Sequence, residues 1–243
     1  EPGVTIEGNY IIGFGKGIVT TKNVWDINVK NNRIQFNDRN IEVYSADNSG
    51  ENFVFTGNNI SDCNTVTKCV YFRTNGSVTS SWFGNVFDNA QLYFEDGNAN
   101  INITGGGFEN PNEGAIGRYT YIVISDGGYS NMTITGTQFS NGASTLANSP
   151  YQFISNGGNL KLDNVTVQSF SSVESPAFIG NYGGGFYSGQ VFEIGTALTD
   201  ISTTTSVGLV QLQNGRVGYA TTTPLDEFGI KGNVGIYSAN GLN

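Results

Sequence analysis

One step recurs along the chain: Gly or Asn, two polar or small residues, then a bulky apolar residue. It reads as Gly8/Ile11, Asn31/Ile34, Gly57/Ile60, Gly84/Phe87, Gly105/Phe108, Gly136/Phe139, Asn164/Val167 and Gly195/Leu198. Successive steps lie 23, 26, 27, 21, 31, 28 and 31 residues apart. A constant core with elastic spacing at that length is the pattern of a solenoid. Upstream of most steps apolar residues alternate, as in Phe53/Phe55, Ile101/Ile103, Met132/Ile134, Leu160/Leu162 and Phe192/Ile194. Period-two alternation predicts half-buried strands, not helices.

Between steps lies a further strand that ends in a turn: Tyr71–Gly76, Tyr93–Gly97, Ile122–Gly127 and Tyr151–Gly157. Its Asn-Gly or Asp-Gly pair supplies positive φ at low cost and so makes a tight corner. Three short strands per repeat predict one coil of a parallel β-helix, with inward columns such as Ile60-Phe87-Phe108-Phe139-Val167. The expected fold is all-β, a right-handed parallel β-helix of about eight coils over residues 1–200. After Asp200 the pattern weakens, and residues 201–243 read as a β-rich C-terminal cap or oligomerisation segment, because an open solenoid end must be covered.

Composition narrows the function. Only 13% of the 243 residues are charged and 34 are Gly, which suits turns and strands rather than solvated helices. A net charge of −9 with 11 basic residues argues against nucleic acid and against an anionic membrane surface. No apolar run is long enough to predict membrane insertion as a helix. The absence of His excludes a His-based triad and a His-ligated metal, and neither a metal nor a cofactor is expected. Cys63 and Cys69 are close enough for a local bridge, but two Cys make no disulfide framework, and free thiols are the favoured reading. The opening Glu1-Pro2-Gly3 reads as part of a longer polypeptide.

The coil pattern over about residues 4–200 resembles the pectin-lyase-like β-helix of phage tailspikes and polysaccharide lyases. The tail adds a second likeness. Arg216-Val217-Gly218-Tyr219-Ala220-Thr221-Thr222-Thr223-Pro224 and Ile230-Lys231-Gly232-Asn233-Val234-Gly235-Ile236 resemble the "VGIGTTxP…LxVxGNVGI" repeat of phage tail-fibre proteins, with departures at Tyr219 and Ala220. The resemblance implies a phage tailspike or tail-fibre head: a homotrimer in the extracellular virion. It would join the rest of the tail apparatus through a preceding N-terminal region and bind or cleave bacterial surface polysaccharide.

Stacking the coils aligns Ser61, Asp88, Glu109, Ser140 and Gln168 in one column, and Asp62, Asn89, Asn110, Asn141 and Ser169 in the next. The asparagines suggest a stabilising ladder. Asp88 and Glu109, one coil apart, are the candidate catalytic pair, since glycosidic cleavage needs one carboxyl as acid and another as base or nucleophile. Glu95, Asp96 and Asp126 form a second acidic cluster at the corner also occupied by Asn75 and Asn156, where turn geometry is a sufficient explanation. The longest insertions, residues 110–119 and 141–150, leave one edge of neighbouring coils, as binding loops do. Candidate glycan contacts are Trp82, Asn110, Arg118, Tyr119, Tyr121, Asn141 and Tyr151, aromatic faces for sugar rings and polar groups for hydroxyls; packing competes as the role of each aromatic. A calcium-dependent lyase ranks low, because no cluster of Asp can be assembled.

Three functions follow: a spike head that binds polysaccharide with or without slow cleavage, an endoglycosidase (depolymerase) using paired carboxylates, and a purely structural trimeric fibre segment.

Overall fold

The computed structural model describes residues 3–21, 25–45, 50–64, 68–74, 77–95, 98–109, 121–125, 130–141, 153–156, 159–169, 179–181, 186–188, 191–195, 201–203, 209–211, 217–219 and 228–230. It is an all-β solenoid, with no helix among the described residues. Three sheets of eight strands each wrap the axis, and all their pairings are parallel. One turn shows the rule. Ser77–Phe83 lies in the first sheet, Val86–Asp88 in the second and Leu92–Glu95 in the third. This architecture is compatible with a pectin-lyase-like fold.

The Gly/Asn of each step makes the corner between the first and second sheets. Gly8, Asn31, Gly57, Gly84, Gly105, Gly136 and Asn164 have φ of 68°, 52°, 62°, 60°, 65°, 61° and 50°. That is the left-handed region, which Gly and Asn enter at least cost. The chain turns there, and the apolar residue three positions on points inward from the second sheet. The column runs in register from Ile11 through Ile34, Ile60, Phe87 and Phe108 to Phe139, and the backbone continues to Val167.

The eighth step departs from this frame. Val191–Gly195 belongs to the second sheet, with Val165 opposite Val191, and the first-sheet position is filled by Phe186–Ser188. Phe192 and Ile194 therefore do not lie in the first sheet, as their alternation suggests. The long strand Val165–Ser169 offers them a backbone partner of matching length on the second face.

Packing also limits the coil count. Backbone pairing carries eight strands on every face, but described side chains enclose a core on all three faces over only about four turns, residues 25–125, against the eight expected. Each of these turns supplies buried residues such as Phe53, Phe55, Ile60, Val70 and Phe72. Rings stack along the axis: Phe87 on Phe108 at 4.5 Å and Phe108 on Phe139 at 5.0 Å, with ring planes nearly parallel in both pairs. Every such side chain removed from water contributes about 1.5–3 kcal/mol before entropy is counted.

Beside the corner runs an asparagine spine. Asn9, Asn32, Asn58 and Asn85 each follow the left-handed residue. The Asn58 Oδ1 accepts from the backbone N–H of Asn32 at 2.9 Å and from its Nδ2 at 3.1 Å. Asn58 in turn donates to Asn85 Oδ1 from its backbone N at 3.0 Å and from Nδ2 at 2.9 Å, and Nδ2 also reaches the Val29 carbonyl at 2.8 Å. Asn9 and Asn32 repeat the arrangement one turn earlier. Buried amides at this density are tolerable only when their bonds are met. The spine stops at Gly106, whose φ is 71° and where an added Cβ would stand 2.0 Å from the Asn85 carbonyl oxygen.

Cys63 and Cys69 form a disulfide, with Cα atoms 5.6 Å apart, which corrects the free-thiol reading. Their spacing left the pairing open; the fold decides it by bringing the end of the second sheet's turn back beside the start of the third-sheet strand Val70–Thr74. The third sheet runs past residue 200, because Ile201–Thr203 pairs with Ile179–Asn181. A separate small sheet places Val217–Tyr219 antiparallel to Leu209–Gln211 and parallel to Phe228–Ile230.

Candidate functional site

Asp88 and Glu109 lie directly opposite one another in adjacent strands of the second sheet. Phe87 and Phe108 point inward, so alternation turns both carboxylates outward, about 4.8 Å apart at the backbone. Ser61 and Ser140 continue the row on either side. Corner bonds pin both strand ends: the Asp62 N–H donates to the Asp88 carbonyl at 3.1 Å and the Asn89 N–H to the Glu109 carbonyl at 3.0 Å. Asp88 is half-buried and Glu109 exposed, so the pair is a fixed acidic patch on a sheet face, with Glu109 open to solvent.

In the next column Asn89 donates from Nδ2 to Asp62 Oδ1 at 3.2 Å. Asn110 lies outside the described residues, and of Asn141 only the backbone is described, opposite Ser169. The ladder expected at Asn89, Asn110 and Asn141 thus has one described bond, to an Asp. The continuous asparagine ladder stands four positions earlier, at Asn9, Asn32, Asn58 and Asn85. The dipeptides Gly8-Asn9, Asn31-Asn32, Gly57-Asn58 and Gly84-Asn85 carry its signal in the sequence.

Two candidate sugar contacts belong to the interior. Trp82 has no exposed surface; its indole stacks on Phe55 at 3.8 Å and donates from Nε1 to the Ser80 Oγ at 3.1 Å. Val78, Ser80 and Trp82 share the inward face, and the small Ser80 leaves room for the indole while taking its N–H. Tyr121 is 1% exposed, packs on Phe108 and Phe139, and donates from its hydroxyl to the Ser140 carbonyl at 2.8 Å. Burial, helped by the charge of Glu109, pushes its pKa up, so it stays a neutral donor. Neither ring can meet a glycan. Arg118, Tyr119 and Tyr151 lie outside the described residues, as do the loop residues 110–119 and 142–150.

Glu95 has a definite environment on the outer face of the third sheet. It pairs with Lys68 and accepts from the Tyr71 hydroxyl at 2.6 Å. Burial pushes the Glu95 carboxyl up, but the bonds from Lys68 and Tyr71 and the charges of Lys68 and Arg73 outweigh it and hold the pKa below the ordinary carboxylate value. A carboxylate so held is unsuited to donating a proton. Asp96 and Asp126 lie outside the described residues, and Asn156 pairs with Ser125, one position off the expected equivalence with Asp126.

This third-sheet network was not foreseen from sequence. Tyr71 lies between the Arg39 guanidinium and the Lys68 ammonium, each 4.7 Å from its ring centre, and Lys68 also stands 4.5 Å from the Tyr93 ring. Glu42 pairs with Lys16 at 2.7 Å and with Arg39. Burial pushes its carboxyl up, yet the two cations outweigh that and keep it low. The part of this network that the coil repeat carries is the in-register outward column Glu42, Tyr71 and Tyr93. No protein-family model, curated protein or solved structure matches the chain.

Proposed function

We propose that the chain is the receptor-binding head of a phage tailspike or tail fibre, acting in the extracellular virion as a homotrimer, and that it recognises bacterial surface polysaccharide. The observation that carries this reading is the regular exposure of polar side chains, rung by rung, on the outer faces of a stiff parallel β-rod. Such rows present the same groups at a rise of about 4.8 Å, and a repeating polymer is the ligand that profits from repetition. The tail-fibre-like sequence of residues 216–236 supports the phage setting and the trimer.

Hydrolysis is the second reading, favoured by the in-register Asp88 and Glu109. Incubating the chain with a panel of purified bacterial capsules and lipopolysaccharides, while following both retention and new reducing ends, tests both. Retention without reducing ends is the expected result. Reducing ends that vanish in Asp88→Asn or Glu109→Gln would make it a glycosidase, and neither retention nor cleavage across the panel would leave a structural rod.

A further inference from the structure

We infer that the outer face of the first sheet, over the strands Asn98–Thr104 and Asn131–Thr135 and the adjoining end of Ser77–Phe83, binds an uncharged glycan lying along the rod axis. This rests on the glycan-binding reading above and assigns the ligand class and the face.

Alternation turns Asn100, Asn102 and Thr104 outward from one strand, and they stand in register with Asn131, Thr133 and Thr135 of the next. The preceding strand adds Thr79, Ser81 and, opposite Thr104, Phe83. No outward position in these three rungs is charged. Charge returns at the borders, with Lys161 and Asp163 opposite Thr133 and Thr135 on one side and, on the other, Glu51 in the sequence of the adjoining strand Gly50–Thr56 and Asp26 and Lys30 one rung beyond it.

Three properties suit this face to a neutral sugar polymer. Amides and hydroxyls pair with sugar hydroxyls, and the side chains of Asn102, Thr104, Thr133 and Thr135 make no hydrogen bond among the described residues, so they bond to water until a ligand replaces it. These side chains are short, and Thr is stiff at χ1, so fixing them costs less than fixing Lys or Arg would. Phe83, 42% exposed at the end of its rung, offers an apolar ring to the C–H face of a sugar. The rung spacing of about 4.8 Å is close to the length of one sugar unit in an extended chain, so successive sugars meet successive rungs. An acidic polymer finds no cation in these rungs, and on the third sheet the cations Lys16, Arg39 and Lys68 are already engaged by Glu42 and Glu95.

Affinity electrophoresis of the full chain tests the inference, with mannan, dextran and a mixed-linkage β-glucan as neutral probes and polygalacturonate and alginate as acidic ones. At least one neutral polymer should retard the chain, and the retardation should persist in about 1 M NaCl, where screening acts within about 3 Å. Phe83→Ser and Thr133→Lys should each weaken it roughly tenfold, the loss of about one good contact. Far-UV circular dichroism checks folding, and Asn102→Ala replaces any variant that does not fold. Retardation by acidic polymers alone, or neutral binding indifferent to these substitutions, would overturn the face and the ligand class while leaving glycan binding intact. No retardation by any polymer would remove the glycan reading itself.

Discussion

The molecule carries two arrays of asparagine that differ in almost everything except the side chain. Asn32, Asn58 and Asn85 are buried beside the first corner; Asn32 and Asn58 bond to the turn before and the turn after, and Asn85, the last, bonds back to the turn before. Asn100, Asn102 and Asn131 stand exposed on the first sheet, and Asn131 donates to Asn100 at 3.2 Å. The inner array is complete, so it fixes the register of turns and has nothing left for a ligand. In the outer array Asn102 faces solvent with no hydrogen bond among the described residues and is therefore open to exchange. In a solenoid, place decides whether the same amide is scaffold or surface: the corner buries it, and an outward strand position exposes it.

The strongest way to break that contrast is Asn58→Ala. It strands the Asn32 N–H and the Val29 carbonyl in a dry corner and leaves Asn85 Oδ1 with only the backbone N–H of residue 58, and unsatisfied buried groups cost about 1–3 kcal/mol each. A loss of about 3 kcal/mol or more in urea unfolding is expected, and a loss under about 1 kcal/mol would deny the spine its role. A smaller effect tests the third-sheet network. Because the Glu95 pKa is lowered by folding, its stabilisation is present above the unfolded value and is lost as pH falls through the folded one. Glu95→Gln should therefore lower stability at neutral pH by less than about 1 kcal/mol, since the pair is partly exposed, and should shrink the drop seen below about pH 4. Unchanged acid sensitivity would contradict the ion pair. The smallest effect belongs to the outer array: Asn102→Ala with Asn131→Ala should shift the unfolding midpoint by no more than about 0.5 kcal/mol equivalent. A large destabilisation there would make the exposed amides structural after all.

The Gly/Asn step placed seven anchors correctly because it combines a backbone requirement with a burial requirement, and both survive variable loops. It failed at Gly195, where strand pairing outweighed the local pattern. The Asp88–Glu109 register was legible for the same reason as the anchors, since each follows its Phe directly. For Trp82 packing and sugar contact compete in the sequence, and its parity with Val78 decides for packing. Ser80, an inward residue that looks like an outward one, hid that parity. The Cys63–Cys69 bridge and the placing of Lys68 over Tyr71 depend on how corners fold back in space, which no spacing along the chain encodes.

Gly106 has a mechanical consequence. A rod pulled along its axis yields first where the bonds between turns are fewest, and peels turn by turn from that end. Up to Asn85 each turn is riveted to the next by amides; beyond Gly106 the Thr137 hydroxyl, donating to the Gly105 carbonyl at 3.2 Å, takes their place. Under load the stretch of this corner that lacks the amide rivets should open before the stretch that has them, and Gly106 marks the boundary between the two.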